Sequence, residues 1–101
     1  MKKVFQLQQD NKHPDRVLES IKHEVRKYVK RERKKTLPKE AVFWDFDCRF
    51  GATEEAAKVL TFSELMTALE HAKADRWQRC YVEIIARAAA KSTRKDDTLL
   101  S

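Results

Sequence analysis

The feature that most constrains the fold of this chain is a strict alternation of apolar and charged residues between positions 44 and 50. The apolar phase consists of Trp44, Phe46, Cys48 and Phe50, and the charged phase consists of Asp45, Asp47 and Arg49. Successive side chains of a β-strand point to opposite faces of a sheet, so this period of two predicts a strand with one buried side. The fold must therefore contain a sheet that is covered on one face.

One helix is predicted before this strand in the chain and one after it. Apolar residues spaced three and four apart predict a helix from Pro14 to about Lys35. A second helix is predicted to begin at a capping box formed by Thr61 and Glu64 and to end near Asp75. Each helix has a single apolar stripe, so both are expected to pack on the sheet.

A period of two also appears in residues 3–8 and 79–87, which are predicted as the first and last strands. Residues 57–60 are too short to assign from periodicity alone. If they form a strand, the order of elements is βαββαβ. We predict this order and therefore an α+β fold, a two-layer ferredoxin-like sandwich with both helices on one face of an antiparallel sheet. If they form a loop or are helical, a three-stranded βαβαβ variant with the same two layers results.

The length of 101 residues fits one domain. We place that domain at residues 1–90 and predict a disordered tail over residues 91–101, because the tail shows neither period.

Five segments of the chain carry a resemblance to a known family. They are Lys3-Val4-Phe5-Gln6-Leu7, His13-Pro14-Asp15-Arg16, the basic run at 30–35, Phe43-Trp44-Asp45-Phe46-Asp47-Cys48-Arg49, and Tyr81-Val82-Glu83-Ile84. Together they resemble a small bacterial family described only as a domain of unknown function. The resemblance implies a single-domain bacterial cytoplasmic protein, and it implies no activity and no functional residues.

The net charge of +6 is concentrated in one segment of the sequence. Residues 12–35 contain ten basic and four acidic residues, whereas the rest of the chain contains twelve of each. On a helical wheel, six residues of the first helix lie opposite its apolar stripe. They are His23, Arg26, Lys27, Lys30, Arg33 and Lys34. Because the last apolar residue of this helix is Val29, its basic end is expected to project past the core.

This basic face predicts non-catalytic binding of RNA or DNA phosphates with little sequence specificity. Like charges four residues apart on a helix repel one another, and a polyanion would relieve that repulsion while releasing its own counterions. The alternative interpretation is a solvated face whose last cations complement the helix dipole.

A second hypothesis is a protein–protein interaction or homodimerisation module. The sheet face turned away from the helices is predicted to expose Phe43, Tyr81 and Ile85, and open sheets of small domains often pair through such patches.

No catalytic residue, metal site or small-molecule cofactor is predicted. Asp45, Asp47 and Glu83 share the charged phase of two strands. In the ferredoxin-like order these two strands occupy opposite edges, about 14 Å apart at three strand spacings, which is too far for one metal ion. We expect cross-strand ion pairs instead, formed with Arg49, Arg87 and Lys3.

The remaining chemistry-bearing residues also point away from catalysis. Cys48 and Cys80 fall in apolar phases, which disfavours the thiolate, and the only glycine, Gly51, is predicted to mark a turn and leaves no phosphate-binding loop. The sequence has no run of about 18 apolar residues, and Met1-Lys2-Lys3 is not followed by a hydrophobic stretch. We therefore expect a cytoplasmic protein with no membrane partner.

Overall fold

Alternating strands and amphipathic helices assemble into two layers in the computed structural model, which describes residues 1–90. In chain order the elements are β1 (Lys2–Gln6), α1 (Pro14–Arg33), β2 (Phe43–Gly51), β3 (Lys58–Leu60), α2 (Phe62–Ala74) and β4 (Arg79–Ala89). The predicted βαββαβ order is confirmed, including the short third strand. The tail predicted at residues 91–101 lies outside the described part of the chain.

The four strands form one antiparallel sheet in the order β1-β4-β2-β3. The predicted placement of β2 and β4 at opposite edges is wrong, because these strands are adjacent and form the centre of the sheet. The α+β class and the antiparallel sheet are confirmed, while the ferredoxin-like strand arrangement is not.

Length and register explain why β2 and β4 pair. They are the longest strands, with nine and eleven residues, and their register places Cys48 opposite Ile84 and Phe50 opposite Val82. All four residues are buried. This register superimposes the two apolar phases on one face, and a slip of one residue would turn every apolar side chain of a strand to the other face.

β2 and β4 extend beyond both edge strands at one end of the sheet. β1 pairs only with residues 79–83 and β3 pairs only with residues 48–50. Residues 43–47 and 85–89 therefore form a two-stranded ribbon with no flanking strand among residues 1–90. We call this segment the ribbon.

Both helices contribute to one core on the same face of the sheet. Val17, Ile21 and Val25 of α1 and Leu65 and Leu69 of α2 pack in a single cluster with the apolar phases of the strands. Two ion pairs join the helices side by side, Lys22 with Glu70 and Lys73 with Asp15. In residues 1–90 no helix combines the length and apolar character needed to cross a membrane.

Local signals fix the ends of the helices. The Thr61 side chain accepts from the Glu64 amide at 3.0 Å, and the Glu64 carboxylate accepts from the Thr61 amide at 2.8 Å, which confirms the capping box. His13 caps α1 by accepting from the Asp15 amide through Nδ1. Gly51 pairs with Tyr81 as the last residue of β2, and the turn predicted at Gly51 begins at the next residue and extends over residues 52–57.

Candidate nucleic-acid interface

The six predicted basic-face residues lie on one exposed side of α1. All of them are exposed, whereas the apolar stripe on the other side of the helix is buried. None of the six forms an ion pair with a carboxylate of residues 1–90. The set, which we call the basic face, consists of His23, Arg26, Lys27, Lys30, Arg33 and Lys34.

Other cations of the same segment are engaged by carboxylates. Lys22 is buried against Glu70, and the buried Glu32 contacts Arg31 and Lys35. Lys3 of β1 reaches α1 and donates to Glu24 at 2.6 Å. Glu24 and Glu32 therefore form their ion pairs with cations outside the basic face, and no ion pair within the described chain engages the six residues of the basic face.

The prediction that the basic end of α1 projects past the core is wrong. Trp44 of the ribbon donates from its indole Nε1 to the Lys35 carbonyl at 3.0 Å. The Arg33 guanidinium lies 5.7 Å from the centre of the Phe46 ring. The ribbon therefore contacts the C-terminal end of α1 through Trp44 and Phe46, so this end of the helix lies against the sheet.

The predicted carboxylate group lies on the open face of the sheet, which is the face turned away from the helices. Arg87 donates to Asp45 at 2.8 Å and to Asp47 at 2.9 Å, and Arg49 donates to Glu83 at 3.1 Å. The hydrogen bond from Arg87 lowers the pKa of Asp47. Asp47 lies directly across from Ile85 in the neighbouring strand, so the distance of about 14 Å that follows from the ferredoxin-like order is wrong.

These carboxylates are used in cross-strand ion pairs, as predicted for Arg49 and Arg87 but not for Lys3, which is on the helix side. Among residues 1–90 no group of three histidine, cysteine or acidic residues is placed to hold a metal ion.

The predicted interaction residues lie on the open face, but only two of them are accessible. Phe43 is 45% exposed and Ile85 is 40% exposed, whereas Tyr81 is only 4% exposed. The Tyr81 hydroxyl donates to Glu83 at 2.8 Å, and burial raises the pKa of Tyr81 to about 12. Arg49 donates to the carbonyls of Glu54 and Ala57, which holds the loop after β2 at this end of the sheet.

Two other exposed residues of the same face were not among the predicted interaction residues. Val4 is 51% exposed and Val59 is 81% exposed. The alternation places Val4 on this face, since it is out of phase with the buried Phe5. Val59 lies in a strand of three residues, where periodicity carries too little information.

Both thiols lie in the core, as their apolar phases predicted. Burial raises the pKa of Cys48 to about 11 and that of Cys80 to about 12. Burial therefore disfavours the thiolate form of both cysteines.

A groove runs along the free edge of the ribbon, between the end of α1 and the start of α2. Its volume is about 530 Å³. Three half-buried aromatic residues line it, Trp44, Phe46 and Phe62, together with Arg33. Periodicity assigns Trp44 and Phe46 to the buried phase of β2 and cannot show that the strand extends past the core, so sequence reasoning missed this groove.

Comparisons with known proteins identify a family but no characterised relative. No curated protein and no solved structure matches the chain. A family model described as a family of unknown function (DUF6172) matches residues 1–95, which is nearly the whole chain. The match extends over all the elements that form the sheet, the helices and the basic face, so the chain belongs to the DUF6172 family.

Proposed function

We propose that this protein is a non-catalytic nucleic-acid-binding protein that contacts RNA or DNA phosphates through the basic face of α1. The supporting observation is the contrast within one segment: Lys22, Arg31 and Lys35 contact carboxylates, whereas the six residues of the basic face are exposed and do not. The proposed setting is the bacterial cytoplasm, which the sequence resemblance implies.

The physical reason for a polyanionic partner is the repulsion that the free protein retains. Arg26 and Lys30, and Lys30 and Lys34, are spaced four residues apart, and each such like-charge pair destabilises a helix by a few tenths of a kcal/mol. Binding phosphates neutralises these charges and releases the counterions condensed on the nucleic acid. Phosphate contacts carry no sequence information, so low specificity follows.

The test compares two variants with the same net charge. The basic-face variant carries Glu at Arg26, Lys27, Lys30 and Lys34, and Arg33 is left in place because it contacts Phe46. The control carries Glu at four exposed cations elsewhere, which are Lys12, Lys39, Lys58 and Arg79. Each substitution changes the charge by two units, so both variants shift the net charge from +6 to −2.

Fluorescence anisotropy with a labelled oligonucleotide gives the affinity. We expect the natural sequence to bind with a Kd in the range of about 1–100 μM at physiological salt, and log Kd to rise linearly with log salt by about 0.9 per duplex phosphate contacted. The basic-face variant should lose binding and the control should retain most of it. Equal affinities for the two variants would show that the placement of the charge is irrelevant and would contradict the proposal.

A second candidate function is homodimerisation through the open face of the sheet. Within residues 1–90, four of the five exposed large hydrophobic residues lie on this face, namely Val4, Phe43, Val59 and Ile85. If this face is an interface, light scattering should give a mass that rises with protein concentration, and Ile85→Lys should return the mass to that of a monomer. A concentration-independent monomer mass for the natural sequence would rule this candidate out.

A further inference from the structure

We propose that the aromatic groove at the ribbon edge receives unpaired bases, so that the ligand of the basic face is single-stranded nucleic acid. This inference rests on the proposed function and specifies its substrate class. It is carried by the juxtaposition of an aromatic-lined groove and the exposed cations at the end of α1 that form no ion pair within residues 1–90.

Three partly exposed aromatic residues meet in this groove, whereas Tyr28 of α1, which is also partly exposed, lines a different pocket. Of the nine aromatic residues of the chain, Phe5, Phe50 and Tyr81 are buried, and Trp77 stacks on Phe50 with ring centres 5.7 Å apart. Trp44, Phe46 and Phe62, by contrast, are half-buried and line the same groove. Aromatic rings of this kind bind bases by stacking, which tolerates any sequence because every base has a π-face.

Arg33 belongs both to the groove and to the basic face. Its guanidinium lies over the Phe46 ring, and it lines the groove beside Trp44. Lys30 is three residues before Arg33 on the same exposed side of the helix, and Lys34 follows it. A strand whose phosphates follow the cations of α1 therefore arrives at the groove, where a guanidinium plane and aromatic rings can hold a base.

Three carboxylates at the rim of the groove favour a neutral base over a phosphate. Asp45 and Asp47 also line the groove, but they accept hydrogen bonds from Arg87 on the open face. Glu64 accepts from the Thr61 amide. These carboxylates repel phosphates, so charge complementarity places the phosphates on α1 and the base in the groove. The bases of a duplex are stacked inside the helix and cannot enter.

The first test uses a matched pair of aromatic substitutions. Phe62→Leu keeps an apolar side chain at the start of α2 but removes the stacking ring from the groove. Phe43→Leu makes the same change at an exposed aromatic residue on the open face. With a labelled single-stranded oligodeoxythymidine of about 12 nucleotides, Phe62→Leu should weaken binding about tenfold. Phe43→Leu should leave the affinity unchanged, and neither variant should change the weaker binding of a duplex of the same length.

The second test observes the groove without altering it. The chain has two tryptophans, and Trp77→Phe leaves Trp44 as the only indole while keeping an aromatic ring against Phe50. The single-stranded oligonucleotide should quench Trp44 emission with the same midpoint as the anisotropy titration, and the duplex should leave the emission unchanged.

The outcomes separate this inference from the function on which it rests. If the basic-face variant loses binding but Phe62→Leu binds like Phe43→Leu and Trp44 emission is unaffected, the groove does not bind bases and phosphate binding by α1 stands. Equal affinity for single strand and duplex would also overturn the inference. If the basic-face variant binds as tightly as the natural sequence, the proposed function itself fails.

Discussion

Close packing of two backbone segments requires a glycine at position 51. A Cβ atom at this position would lie 2.7 Å from the Ala57 Cα and 2.8 Å from the Ala57 nitrogen. Both contacts are with backbone, which cannot move aside as a flexible side chain would. The chain reverses just after this glycine, at residues 52–57, and the close approach of Ala57 that follows from this reversal leaves no room for a side chain at position 51.

Gly51→Ala is therefore expected to destabilise the protein by about 1–3 kcal/mol, since the loop after β2 must shift to admit the methyl group. Urea unfolding followed by circular dichroism measures the change. Ala52→Ser, at the exposed neighbouring position, serves as the control and should unfold near the natural midpoint. A Gly51→Ala midpoint equal to that of the control would show that the loop is not packed against this strand.

The two cysteines provide a test of burial and a pH dependence. With pKa values of about 11 for Cys48 and about 12 for Cys80, both thiols should fail to react with a thiol reagent in the folded protein at about pH 8 and should both react in urea. In the unfolded chain the thiols ionise near their ordinary pKa of 9, below their folded values. The free energy of unfolding is therefore at its full value below pH 9 and falls as the pH rises toward 12.

Rapid labelling of either thiol without denaturant, at a rate unaffected by urea, would contradict the burial of the apolar phases of β2 and β4.

Residue-level patterns predicted which face a side chain occupies better than they predicted its exposure. Phe43, Tyr81 and Ile85 all lie on the open face, as the alternation indicates. Tyr81 is nevertheless buried. It pairs with Gly51, and the loop after Gly51, which Arg49 holds through the carbonyls of Glu54 and Ala57, lies at the same end of the sheet although it is distant from Tyr81 in sequence. Alternation fixes the direction of a side chain, and exposure depends on contacts between distant segments.

At the scale of elements, the helices were predicted with the smallest errors because their signals are local. The observed ends of α1 and α2 lie within about two residues of the predicted ones, which is the usual uncertainty of a helix boundary. The strand order, by contrast, was not predictable from periodicity. Alternation assigns a face to each strand but contains no information about which strand lies beside it, and β2 and β4 are separated by β3 and α2 in the chain.

The capping box at the start of α2 allows an element-level prediction. Thr61→Ala removes the acceptor for the Glu64 amide and should cost about 1 kcal/mol of stability. Ser63→Ala, in the first turn of the same helix, should cost less because no hydrogen bond to its side chain is formed within residues 1–90. Thermal unfolding of the two variants measures the difference, and an equal loss for both would show that the box does not stabilise the helix.

At the scale of the whole molecule, charge is divided between two surfaces. The open face carries cross-strand ion pairs between Arg87, Asp45 and Asp47 and between Arg49 and Glu83, while the lysines and arginines of the basic face form no ion pair within residues 1–90. The exposure of the six basic-face residues could be predicted from the sequence because five lie on one helix and Lys34 is its C-cap residue. It could not predict the groove, which is built from the end of α1, the ribbon and the start of α2.

The most direct test of the central claim, that the basic face of α1 is the nucleic-acid site, is to map amide chemical-shift changes while a single-stranded oligonucleotide is added to the isotopically labelled protein. We predict the largest changes over residues 23–34 and at Trp44, with their reversal when salt is raised. Changes confined to the open face around Ile85 and Val59, with the amides of α1 unmoved, would contradict the account.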